Sequence, residues 1–148
     1  MSKKEYRDEC LVPPASERCD ASHVFDAIIL VEHGSRMLGA ARSIEKVAQA
    51  LQASGRYPLV TTCNLAMTRQ HVEETIQRLG RQDATLLVLP YFLDDGVHSR
   101  GDIPNIVRDI GKAYPSLKLV MGMPLGFDPL LVELVGKRIS ECTKRIEG

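Results

Sequence analysis

Four apolar runs, each followed by a stretch with helical spacing, constrain this chain more than any other feature. Phe25-Asp26-Ala27-Ile28-Ile29-Leu30-Val31 is nearly continuous in apolar character, as a central parallel strand covered on both faces requires. Ile44, Val47, Ala48 and Leu51 then recur at helical intervals, and Gly55 marks the stop. Leu59 to Leu65 reads as a second strand, less apolar and so an edge. Val72, Ile76 and Leu79 predict the second helix, ended by Gly80. Thr85 to Phe92 is a third strand, again central in character. Asp102 reads as an N-cap with Pro104 in the first helical turn, and Ile103, Ile106, Val107 and Ile110 form that helix's buried stripe. Leu117 to Met121 is a fourth strand. Leu131, Leu134, Val135, Ile139 and Cys142 predict the inner face of a last helix.

The order βαβαβαβα with right-handed crossovers predicts an α/β fold: a parallel sheet of about four strands, flavodoxin-like, with helices on both faces. Placing the two apolar strands at the centre gives the strand order 2-1-3-4. Residues 1–24 carry prolines and scattered charges without a sustained period and read as a flexible tail. Residues 25–148 read as a single domain, a usual size for one core.

Composition narrows function by exclusion. Nineteen basic and 19 acidic side chains cancel, so no long-range field draws the chain to nucleic acid or to an anionic membrane. Any anion must be recognised by a local cluster. No apolar run approaches the roughly 20 residues of a membrane-spanning helix, and the N-terminus has no signal-peptide pattern, which predicts a cytoplasmic protein. Cys10, Cys19, Cys63 and Cys142 are irregularly spaced and are expected to be free thiols.

Two short stretches hold the chemistry: Glu32-His33-Gly34-Ser35-Arg36, and Asp95-Gly96-Val97-His98-Ser99-Arg100-Gly101-Asp102-Ile103-Pro104. Each places a histidine just past the carboxyl end of a strand read as central, where open parallel sheets bind their ligands. Neighbouring strands lie about 4.8 Å apart, so the two imidazoles are placed to converge on one ion. Imidazole ligates zinc, iron, cobalt and nickel, and exchanges protons near neutrality. Arg36 and Arg100 are forked donors suited to carboxylates. The alternative for each histidine taken alone is a structural hydrogen-bonding role. The lack of a glycine-rich phosphate loop after the first strand argues against a nucleotide site.

With these motifs in view, the chain resembles the class II tetrapyrrole chelatases, most closely the small single-domain sirohydrochlorin chelatases of the CbiX type (SirB among their relatives). The resemblance rests on Ile29-Leu30-Val31-Glu32-His33-Gly34-Ser35-Arg36, on Val88 to Leu93 running into Gly96-Val97-His98 and Asp102-Ile103-Pro104, and more weakly on Pro124-Leu125-Gly126. It implies insertion of a divalent metal, cobalt first with iron or nickel as the others, into the octacarboxylate ring sirohydrochlorin, in cobalamin or siroheme biosynthesis. It implies His33 and His98 as metal ligands and catalytic groups. Ser35, Arg36 and Arg100 become the substrate-binding residues. It implies no organic cofactor and a homodimer. Ala66 stands where the family shows a glutamate, and Glu32, Asp94 and Asp95 add acids nearby. A non-catalytic metal or tetrapyrrole carrier on the same fold is therefore the alternative function. His71 is either a replacement ligand or a solvated helix-terminus histidine.

Overall fold

The computed structural model describes residues 24–34, 38–94 and 99–147. Its elements are β1 (Ala27–Glu32), α1 (Leu38–Ala53), β2 (Val60–Asn64), a 3-10 turn (Leu65–Met67), α2 (Thr68–Leu79), β3 (Thr85–Pro90), α3 (Ser99–Ala113), β4 (Lys118–Met121) and α4 (Pro129–Glu147). Among the described residues, two compact units divide the chain: 24–126, with the sheet and α1 to α3, and 127–147, with α4.

All four strands are parallel, in the order β2-β1-β3-β4, as the apolar pattern predicts. Side chains alternate across the sheet, so β1 to β3 feed two cores. Ala27, Ile29 and Val31 of β1 join Leu86 and Val88 of β3 on one face. There they share a buried cluster with Val72 and Ile76 of α2 and Ile103 and Ile110 of α3. Ile28, Leu30 and Val60 point to the other face and cluster with Ile44 and Ala48 of α1. Each such fully buried branched side chain contributes about 1.5–3 kcal/mol against its exposed state. The strand ends that carry the candidate residues therefore rise from the best-packed layer of the molecule.

Helix α2 ends as its sequence requires. Gly80 is left-handed at φ 69°, and its N–H donates to the carbonyls of Ile76 and Gln77. Helix α3 departs from expectation. It begins at Ser99, so Asp102 lies in its first turn and Pro104 inside the helix. An acid in the first turn is favoured by the helix dipole whether or not it caps, and this makes the two positions look alike in sequence. Pro104 removes one intrahelical N–H, a loss borne close to the helix start.

Leu134, Val135, Ile139 and Cys142 are exposed. Helical spacing shows which side of a helix is apolar, but not whether another surface covers it. No helix among the described residues is long and apolar enough to cross a membrane.

Candidate functional site

Strands β1 and β3 leave the sheet side by side. Val31 pairs with Pro90, and the Tyr91 N–H donates to the Val31 carbonyl at 2.7 Å. The next side chains outward are His33 and Phe92, whose rings stack with centroids 4.2 Å apart and planes at 30°. A stacked imidazole keeps both nitrogens in its own plane, so the contact fixes the ring without occupying its donor atoms. Phe92 is itself held. Its carbonyl accepts from the Leu125 N–H at 3.0 Å, and the Leu93 carbonyl accepts from the Gly126 N–H at 2.9 Å. The Pro124-Leu125-Gly126 motif thus braces the exit of β3. Directly after His33 the chain turns at Gly34, φ 90°, a conformation that disfavours any residue with a Cβ.

His33 opens onto a cavity of about 440 Å³ lined also by Leu65, Ala66, Asp102, Asn105, Ile106 and Asp109. This volume is within the range of small-molecule sites. Leu65 and Ala66 come from the turn after β2. The other four are spaced i, i+3, i+4 and i+7, so one face of α3 forms the opposing wall. Asn105 is oriented by Arg108, whose Nη1 donates to its Oδ1 at 3.4 Å. A second groove, of about 450 Å³ between α1 and β2, is lined by Glu45, Gln49, Gln52, Thr61 and Thr62 among others. It offers one carboxylate and no imidazole, so the His33 cavity is the better place for metal chemistry.

Ser35, Arg36 and His98 lie outside the described residues. Arg100 is in the first turn of α3, and its side chain also lies outside them. His98 immediately precedes Ser99, the first residue of that helix. Among the described residues, no three His, Cys, Asp or Glu side chains are grouped to hold a metal ion. His71 takes neither role considered for it. It sits half-buried inside α2 with Nε2 2.9 Å from Thr61 Oγ1, and it does not line the cavity. Burial lowers its pKa, and Glu74 opposes that shift.

Burial, opposed by the hydrogen bond to the Thr68 hydroxyl and aided by the Glu32 charge, pushes the Cys63 thiol up to about 11. Asp109, Asn105, Ile106 and Leu65 are site residues that sequence reasoning missed. The signal was present as the polar series Asp102, Asn105 and Asp109 on a helix otherwise read only for its apolar stripe.

A family model described as CbiX matches residues 27–142, from the first residue of β1 to well into α4. The chain belongs to the CbiX family. Among its curated relatives is the chloroplastic sirohydrochlorin ferrochelatase of Arabidopsis thaliana, 29% identical over 124 residues, matched over 83% of this chain and 55% of the relative. Another is the sirohydrochlorin cobaltochelatase of Methanopyrus kandleri, 27% identical over 137 residues, matched over 78% of this chain and 96% of the relative. The chain thus spans about half of the first and nearly all of the second.

Solved structures agree. The sirohydrochlorin chelatase SirB from Bacillus subtilis subspecies spizizenii, in complex with cobalt, superposes with a TM-score of 0.68 at 25% identity, over 79% of this chain and 50% of SirB. A cobalamin (vitamin B12) biosynthesis CbiX protein from Marinobacter aquaeolei VT8 gives 0.64 at 22% identity, over 80% and 98%, which supports the fold.

Proposed function

We propose that this CbiX-family chain inserts a divalent metal ion into sirohydrochlorin, so that M²⁺ and the free ring give the metallated ring and two protons. The observation that carries the reading is the His33 imidazole, held by Phe92 at the mouth of a cavity whose far wall bears Asp102 and Asp109. The relatives named as sirohydrochlorin chelatases supply the reaction class.

The chemistry divides by residue. Metal insertion requires the ion to lose water while two pyrrole N–H groups lose protons. A neutral imidazole can ligate the ion or accept a proton, a role worth about 10²–10⁴-fold in rate. His33, together with His98, is assigned to those tasks. Asp102 and Asp109 give the α3 wall a negative potential that favours a cation over the carboxylate-rich ring. Arg36 and Arg100, with Ser35, are assigned to the ring carboxylates through charge-assisted hydrogen bonds.

Cobalt is the metal proposed first, with iron and nickel as the others. We place the reaction in the cytoplasm, a reading supported by the irregular spacing of the four cysteines. The proposed assembly is a homodimer, supported by the prevalence of twofold pairing among oligomers. A monomeric mass by light scattering at high concentration would refute the dimer.

The reaction is tested by anaerobic incubation of the chain with sirohydrochlorin and Co²⁺, Fe²⁺ or Ni²⁺, following the absorption change on metallation. A rate above the protein-free background is expected. Tight ring or metal binding at the background rate would select the carrier function instead.

A further inference from the structure

One side chain sits between the His33 turn and the Leu65–Met67 turn. Asn64 is the last residue of β2 and pairs across the sheet with Glu32, the residue before His33. Its Oδ1 accepts the Met67 N–H at 3.0 Å and so closes the 3-10 turn that presents Leu65 and Ala66 to the cavity. The opposite side of Asn64 meets Gly34. A Cβ on Gly34 would come within 3.3 Å of Asn64 Cβ and 3.9 Å of its Cγ. Thr68, fully buried, fastens the far end of the turn: its hydroxyl donates to the Leu65 carbonyl at 2.9 Å and lies 3.4 Å from the Asn64 carbonyl.

We propose that Asn64 is a positioning residue for the His33 site, setting the spacing between the imidazole and the Leu65–Ala66 wall. The proposal rests on the chelatase reading of the cavity and adds a part to it. Asn64 does its work through a short side chain with an acceptor oxygen at Cγ. Aspartate keeps both features. Alanine removes the acceptor and the Cγ but keeps the Cβ that lies nearest Gly34. Leucine keeps the volume without the acceptor. Displacing a reacting group by about 1 Å costs up to about 100-fold in rate, so a loss of this kind is read in turnover before binding.

The test compares the full chain with Asn64→Ala, Asn64→Leu, Asn64→Asp and Gly34→Ala. Two readouts are taken: kcat and KM for sirohydrochlorin with Co²⁺, and the ¹H–¹⁵N ring signals of His33, assigned by their loss in His33→Gln. Asn64→Ala and Asn64→Leu are expected to lower kcat about 10- to 100-fold with KM within about twofold, and to shift or broaden the His33 ring signals. Asn64→Asp is expected to restore both. Gly34→Ala, which loads the same contact from the other side, is expected to move the ring signals without removing the cap. Unchanged kcat and ring signals in Asn64→Ala would overturn the proposal. So would a loss confined to thermal stability or KM that aspartate does not rescue. If Asn64→Ala does not fold, Asn64→Leu, Asn64→Asp and Gly34→Ala decide on the same criteria. If the wild-type chain does not metallate the ring at all, the chelatase reading fails, and the ring signals alone still judge the positioning role.

Discussion

The two sides of the cavity are built by different means. On one side His33 is held by the sheet: it follows a fully buried strand, stacks on Phe92, and turns at a glycine braced by Asn64. On the other side the polar groups of α3 extend from a helix whose buried stripe, Ile103 and Ile110, faces the opposite way into the core. The first side fixes one ring in place. The second spreads two carboxylates over two helical turns. Rigid placement suits a group that must ligate or take a proton at a defined point. Distributed charge suits attraction of a cation at longer range.

The largest effect is expected on the fixed side. His33→Ala should lower metallation about 10²–10⁴-fold while far-ultraviolet circular dichroism stays unchanged, because His33 is exposed and outside the buried clusters. A loss below about threefold would mean that the imidazole is not in the reaction. Ala66→Glu comes next, because it places a carboxylate beside His33 and makes the sheet side resemble the helix side. Tighter Co²⁺ binding, by about tenfold in calorimetric titration, is expected from one added charge in a partly shielded cavity. Unchanged affinity would show that Ala66 does not face the ion.

Salt should act on the helix side alone. Raising ionic strength from about 0.05 to about 0.5 M shortens the screening length several-fold and should weaken the apparent metal affinity by a few-fold, without lowering kcat at saturating metal. The smallest effect concerns His71, which lines neither side. Its pKa is lowered in the folded chain, so below the unfolded value of about 6.5 the unfolded state binds more protons. Stability should fall as pH drops through that window toward the folded pKa, by at most about 1.4 kcal/mol per unit. His71→Gln should flatten that slope in denaturant melts between about pH 7 and pH 5.

The sheet was legible from sequence because β1 and β3 are apolar but for Glu32 and Thr85 at one end of each, as a central strand needs, whereas β2 carries Thr61, Thr62 and Asn64. His33 was legible because it ends such a strand. The α3 wall was not. Asp102 reads as a cap and Asp109 carries no signal of its own in the sequence, and only the packing of α3 shows that they share a face with Asn105 over the cavity. Asn64 escaped notice for a similar reason. Its role depends on the approach of Gly34 across the sheet, 30 residues away in the chain.

The central claim, that the sheet side performs the insertion and the helix side supplies the ion, is tested most directly by one paired measurement. Initial metallation rates are taken across a range of Co²⁺ concentrations at saturating sirohydrochlorin for wild type, His33→Ala and the double variant Asp102→Asn/Asp109→Asn. The account predicts that His33→Ala loses kcat at every metal concentration, and that the double variant raises the KM for Co²⁺ about tenfold with kcat within about threefold of wild type. A double variant that loses kcat while keeping its KM for metal, or a His33→Ala chain restored to the wild-type rate by excess Co²⁺, would contradict it.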